Sequence, residues 1–273
     1  MIKNSLKKIY VALIFVFLYA PILTLIVLSF NSSKTRAKWG GFTVKWYGSL
    51  FKNAAIMGAL WNTILIAVIA SVVSTIIGTI TCIAIYRMTK KQRSLILGVT
   101  NIPMLNAEIV TGISLMLLFL SLGFKFGLGT IILAHITFCI PYVILSVMPR
   151  MSNLNPYTYE AALDLGAGPI EGYVKVVLPE LVPGIASGFL MAFTMSIDDF
   201  IITHFTKGAG VDTLSTKIYT EVKKGIKPEM YALSTIIFVT VLILLLLVNY
   251  SPSNNKPQKV KKITKQEGYG GEN

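Results

Sequence analysis

The sequence predicts an all-α, polytopic membrane protein with six transmembrane helices. Two observations carry this expectation. Only 14% of the 273 residues are charged against 54% hydrophobic, with a mean hydropathy of +0.69, whereas about a quarter of a soluble domain's residues are charged. Six apolar runs also reach spanning length, at residues 9–30, 58–86, 95–122, 129–148, 184–205 and 230–250, against the 17 or so residues a bilayer core requires.

The first run follows Lys3, Lys7 and Lys8 as a secretory signal would, but it ends in "LSFNSS" without an A-x-A cleavage pattern. It is therefore expected to be a retained span. The loop after it, "NSSKTRAKWGGFTVKWYGSLFKNAA", mixes Trp39, Phe42, Trp46 and Tyr47 with lysine and glycine, the composition of an interfacial aromatic belt. Between spans two and three, "RMTKKQR" gathers Arg87, Lys90, Lys91 and Arg93. With the N-terminal lysines, this short basic connection places the N- and C-termini in the cytoplasm. Cys82 and Cys139 fall inside spans and read as small apolar residues. His135 in span four and His204 near the outer end of span five have no second ligand at metal spacing, so each is expected to be packed and hydrogen-bonded. The tail 251–273 is polar, basic and glycine-rich at its end, and is expected to be disordered along the anionic inner leaflet. Residues 1–250 form one transmembrane domain without a repeat of fixed period.

The net charge of +13 is spread over loops on both sides rather than gathered on one face. It anchors the chain at the membrane edges and excludes a nucleic-acid surface. No G-x-x-x-x-G-K-[ST], H-E-x-x-H or Ser/His/Asp set occurs, so the sequence predicts no enzyme, no metal site and no cofactor of its own.

Charge inside the membrane is the exception that needs a use. Span five contains Asp198 and Asp199 in "FTMSIDDFIITHF", and span three contains Glu108 in "NAEIVTG". One such acid at mid-span costs about 2.5 to 3.5 kcal/mol on insertion scales. Counted along continuous helices at about 1.5 Å per residue, Glu108 and Asp198 both lie near 20 Å from their span starts. Acids from two helices would then share one level, suited to a positively charged solute. Adjacent helical residues point about 100° apart, so Asp198 and Asp199 should divide, one lining the path and the other pairing with a neighbour.

The connection between spans four and five, about residues 150–183, reads "RMSNLNPYTYEAALDLGAGPIEGYVKVVLPELVPGI". Pro156 permits a helix start and Gly166 an exit; Pro179 and Pro183 are expected to stop the second segment before span five. Ala161, Ala162, Leu165 and Ala167 would offer an apolar face to another protein's groove. "GAGPIEG" is no phosphate cradle, because no strand precedes it and Pro169 interrupts it.

This loop resembles the EAA loop of ABC-importer permeases: Glu160, Ala161 and Ala162, three residues, Gly166, nine residues, Val176 at an aliphatic position, one residue, then Leu178 and Pro179. "WGGFTVKWYGSLF", "LAHITFCIPYV", "FTMSIDDF" and "KIYTEVKKGIKPEMYALSTI" are similar, in the same order, to segments of the permease subunits of spermidine/putrescine importers. The resemblance implies the type I ABC importer (MetI-like) permease fold in a bacterial cell (inner) membrane. It implies a second homologous permease subunit, an ATP-binding-cassette ATPase dimer that binds the ATP and Mg, and an extracellular polyamine-binding protein. It carries ATPase coupling onto Glu160, Ala161, Ala162, Asp164, Gly166, Ala167, Leu178 and Pro179. Substrate handling falls on Glu108, Ser196, Asp198 and Asp199, with Trp46 as an outer aromatic contact. Glu108 stands where the family has Asp. Alternatives are the same fold importing another small cationic solute, or an ion-driven secondary carrier using the acids as a proton relay.

Overall fold

A computed structural model describes residues 2–34, 38–225 and 227–250 of the chain; the basic tail 251–273 lies outside them. The described residues form helices α1 (Ile2–Ser29), α2 (Lys45–Lys52), α3 (Ala54–Arg87), α4 (Lys90–Leu105), α5 (Glu108–Ser121), α6 (Leu128–Asn153), α7 (Pro156–Asp164) and α8 (Pro169–Gly172). A π-helical turn, Tyr173–Val177, leads into α9 (Leu178–Asp198), followed by α10 (Ile201–Thr206), α11 (Leu214–Lys224) and α12 (Pro228–Tyr250). Local signals set several starts. Asn53 caps α3 by accepting from the N–H groups of Ala55 and Ile56 at 3.2 and 3.4 Å, and Thr89 with Gln92 forms the capping box of α4.

Helices α3, α6 and α9 pack together as the centre of the molecule. Without a hydrophobic driving force inside lipid, close backbone approach supplies the cohesion. Val143 of α6 sits where the three meet: a Cβ on Gly78 of α3 would stand 2.7 Å from its side chain, and one on Gly188 of α9 would stand 3.3 Å away. Cys82 and Cys139 are fully buried in this core. A smaller cluster, Leu50, Ile56, Leu214, Met230 and Leu233, joins α2, α3, α11 and α12. Helix α1 contributes nothing to either cluster. Residues 7–28 are all at least partly exposed and Ser29 at its end is buried; the chief contact of α1 with another long helix is to α12.

Among the described residues, four helices are long and apolar enough to cross a bilayer by themselves: Lys7–Ser29, Ala54–Arg87, Leu128–Asn153 and Pro169–Asp198. The expected third span is not one helix. Residues 90–121 break into α4 and α5, whose axes differ by 103°. Pro103 removes a backbone donor near the end of α4, and Asn106 and Ala107 are extended, with ψ of 152° and 135°. The expected fifth span is shifted and also broken. It starts at Pro169, not near Gly184, and ends at Asp198, where Asp199 turns extended with ψ of 128° before α10 begins. The sixth apolar run lies on α12.

Pro179 and Pro183 do not stop the chain as expected; both lie within α9. The turn ahead of them is π-helical, with the Leu178 N–H donating to the Tyr173 carbonyl five residues back. That wider register comes just before Pro179, which falls in the first turn of α9, where a missing N–H is tolerated.

Candidate functional site

The two helix breaks meet. A cavity of about 150 Å³ is lined by Glu108, Asp198 and Asp199, by the hydroxyl-bearing Thr111, Thr194 and Tyr142, and by Phe138. At about 30 Å³ per water it has room for roughly five waters, or one thin segment of a chain-like solute. Glu108 is the first residue of α5, so the helix dipole favours its charge. It lies at a helix start, not deep within a continuous helix as counted from the sequence. The cavity still gathers acids from both broken spans.

The neighbouring aspartates have different surroundings. Asp198 is exposed to the cavity and makes no hydrogen bond or ion pair to any described residue. Asp199 has only 4% of its side chain accessible. One oxygen accepts from the Ile202 N–H at 3.1 Å; the other accepts from the Thr203 N–H and hydroxyl, each at 2.7 Å. Asp199 thereby caps α10, satisfying donors the helix leaves open.

His135 of α6 completes this knot. Its Nε2 lies 2.9 Å from the Thr203 hydroxyl oxygen and 3.3 Å from Asp199, and its Nδ1 lies 2.7 Å from the Ser196 hydroxyl. The Thr203 proton is committed to Asp199, so its oxygen accepts from His135 Nε2–H. With that tautomer, Ser196 donates to Nδ1, and a neutral imidazole satisfies the whole chain of bonds. His135 is 1% exposed, packed and hydrogen-bonded as the sequence suggests. His204 differs from the expectation: it is exposed and stacks on Phe200 with ring centroids 5.4 Å apart. Among the described residues no three His, Cys, Asp or Glu side chains converge as a metal site.

Two expected path residues lie elsewhere. Ser196 is 3% exposed and turned to His135, outside the cavity lining. Trp46 is 8% exposed and donates its indole N–H to the Asn31 carbonyl at 2.7 Å. Its ring is packed into the folded loop at the end of α1, so it is not available as an outer contact surface. Trp39 and Phe42 stay exposed, at 54% and 73%. The sequence reading missed the Asp199–Thr203–His135 contact. The i, i+4 spacing of Asp199 and Thr203 was available as a capping signal, but nothing local points to His135.

The loop 154–177 presents a second candidate surface. Asn155 caps α7 by accepting from the Tyr157 N–H at 3.1 Å. Helix α7 ends at Asp164, and Gly166 takes φ of +89°, a conformation that side chains with a Cβ resist. Leu165 and Ile170 beside this turn are 90% and 80% exposed. Ala161 is exposed too, while Ala162 and Ala167 are half-buried. Glu160, Asp164 and Pro179 are exposed, and Leu178 is half-buried at the start of α9. Large apolar side chains left this open on a compact turn make it a candidate interaction surface.

Comparison with known proteins bears on the family of the chain. The chain is 37% identical over 246 residues to the spermidine/putrescine transport system permease protein PotC of Escherichia coli (strain K12), covering 90% of this chain and 93% of that protein. It is 35% identical over 269 residues to the putrescine transport system permease protein PotI of the same organism, covering 96% of each. Among solved structures, a bacterial ABC transporter involved in import of the acidic polysaccharide alginate superposes with a TM-score of 0.71 over 92% of this chain and 97% of that one. At 14% identity this likeness concerns the fold. The same TM-score is found for a bacterial alginate ABC transporter in complex with its alginate pentasaccharide-bound periplasmic protein, at 16% identity and covering 91% and 92% of the two chains. Residues 74–251 match the family described as binding-protein-dependent transport system inner membrane component. With that match and its 37% identity to a permease over most of its length, the chain belongs to this family of ABC-transporter permease subunits, and ATP hydrolysis is the work of a partner.

Proposed function

We propose that this chain forms part of the translocation path of an ATP-driven importer for spermidine or putrescine. The observation that carries the reading is the convergence of Glu108 and Asp198 on one cavity, in a chain whose relatives carry those cargoes in their names. Polyamines are chains of separated ammonium groups. A passage for them must replace water around each charge, and carboxylates, hydroxyls and aromatic faces do this. The lining supplies all three and no cation. Glu108 and Asp198 meet the cargo; Asp199 and Ser196 act through the knot that fixes the helix break. The half-helices ending at this cavity follow the pattern by which membrane transporters expose polar groups at depth.

In this reading α12 is the sixth span. The partners are a homologous permease, an ATP-binding-cassette ATPase pair that holds ATP and Mg, and an extracellular polyamine-binding protein. The exposed turn around Gly166 docks on the ATPase, with Glu160, Asp164 and Leu165 at the contact. Closure of the ATPase pair moves that turn and switches the cavity between inward-open and outward-open. Arg87, the first residue of the basic "RMTKKQR" segment, touches the loop through Tyr159 and Tyr173, so both lie on one face. Basic connections favour the cytoplasmic side, which supports cytoplasmic termini.

The test is uptake of labelled spermidine and putrescine by the reconstituted transporter, with unrelated solutes as competitors. The expected result is ATP-dependent uptake displaced by polyamines alone, with Glu108→Gln reducing uptake and leaving assembly intact. Displacement by a non-polyamine cation would change the cargo and keep the fold. Uptake by this chain alone, driven by an ion gradient, would overturn the reading.

A further inference from the structure

Arg87 is the last residue of α3, and its guanidinium lies between two rings. Its centre is 4.7 Å from the ring centroid of Tyr159 on α7 and 5.2 Å from that of Tyr173, which opens the π-helical turn. Its Nε donates to the Tyr173 hydroxyl at 2.6 Å, and the two rings stand 4.5 Å apart. Beneath the rings the backbone comes close: a Cβ on Gly172 would lie 3.2 Å from the Tyr159 ring. One side chain thus joins three pieces of chain: the end of α3, the exposed docking helix α7, and the turn that feeds α9. Helix α9 in turn ends at Asp198, beside the cavity.

A planar guanidinium suits this place. It can stack on one ring, face a second and donate an aligned hydrogen bond at once, which an ammonium cannot. The π-helical turn next to it interrupts the regular α-helical register of the α9 rod, with the Leu178 N–H paired five residues back. A push on α7 alone would be absorbed there. A push delivered through a bolted joint reaches α3 and α9 together.

We propose that Arg87, held between Tyr159 and Tyr173, is the positioning residue that transmits movement of the docking loop to α3 and α9. The inference rests on the reading that an ATPase docks on this loop. Arg87 lies outside the lining of the acidic cavity, so its removal should change how much cargo moves per ATP rather than whether either is handled.

The experiment uses the full transporter with its partner subunits and binding protein in liposomes, measuring ATP hydrolysis and polyamine uptake in the same preparation. Arg87→Ala is expected to keep the ATPase bound and hydrolysis within about twofold, while uptake per ATP falls at least threefold. Arg87→Lys should recover part of that loss by keeping the cation over one ring. Tyr173→Phe, which keeps the ring and removes the hydrogen bond, should lose less than Arg87→Ala. An unchanged uptake-to-ATP ratio in Arg87→Ala overturns the proposal. If that variant fails to assemble, Tyr159→Leu decides instead, since it deletes one ring face and leaves the bond to Tyr173; an unchanged ratio there overturns it equally. Co-purification of the ATPase with the unsubstituted chain is scored separately. Its failure would remove the docking reading itself, whereas its success with an unchanged ratio removes only the joint.

Discussion

Two of the chain's helix interruptions, one at the cavity and one in the loop, are finished differently. At the cavity, the break after Asp198 is closed from within. Asp199 accepts three hydrogen bonds from α10, and His135 ties it to α6. At the loop, the break after Asp164 closes only its backbone, the Gly166 and Ala167 N–H groups donating to the Leu163 and Ala162 carbonyls at 2.9 and 3.0 Å, and leaves Leu165 and Ile170 facing outward at 90% and 80% exposure. Satisfied polar groups make a rigid feature that one chain can hold alone. Exposed apolar groups make half of a surface that a partner completes. In the proposed reading the first break sets geometry and the second transmits force.

Each expected outcome challenges one side of this contrast. The largest effect belongs to Asp199→Ala. It strips the cap of α10 and strands buried groups on Thr203 and His135, at about 1 to 3 kcal/mol for each unsatisfied group. A loss of roughly 3 kcal/mol or more is expected in thermal or denaturant unfolding of the purified protein. A melting curve that does not move would show that the knot is not structural.

The opposite side is challenged by placing aspartate at both Leu165 and Ile170. Burial of each apolar side chain is worth about 1.5 to 3 kcal/mol, so affinity for the ATPase should fall about a hundredfold or more while the chain's own stability stays within about 0.5 kcal/mol. Titrated binding of the ATPase to the permease in detergent measures it. Undiminished affinity would place the docking surface elsewhere.

Asp198→Asn sharpens the contrast within a single dipeptide. A charged hydrogen bond is worth about 1.5 to 3 kcal/mol, so the KM for polyamine uptake should rise about tenfold with little change in melting. If Asp198→Asn and Asp199→Asn alter KM and melting alike, the two acids do not divide the work.

The smallest effect lies in the loop between α10 and α12. Glu221 pairs with Lys227 at 3.2 Å and Lys217 at 3.8 Å. Chiefly the Lys227 ammonium, with Lys217 and Lys224 adding, holds its carboxyl below the ordinary carboxylate range. A depressed value stabilises the fold above the unfolded-state value of about 4.3, and the contribution disappears as pH falls through the lower folded value. Glu221→Gln should therefore cost no more than about 1 kcal/mol at neutral pH, and its melting should converge with the parent on acidification.

The spans were legible because hydropathy sums along the chain and needs no partner. The breaks inside them were not, since a window average passes smoothly over Asn106 and Phe200. Pro103 and Asn106 were the local signals for the first break. The loop was legible from the fixed spacing of Glu160, Gly166 and Pro179, yet the prolines were misread as stops because a π-helical register leaves no mark in composition. His135 was recognised as a packed side chain, but its partners Ser196 and Thr203 lie 61 and 68 residues away, and pairing over that distance is set by how α6 and α9 cross. Trp46 illustrates the same limit: its type suits a membrane surface, and only the loop's fold reveals that it is enclosed.

Helix α1 is an outrigger. Along residues 7–28 it buries no side chain fully, so it has little side-chain jigsaw to preserve. Its sequence should tolerate wholesale exchange for other aliphatic residues, while shortening it by a turn would force the bilayer to thin or the helix to upright itself. Its length is the heritable trait, and its spelling is close to free.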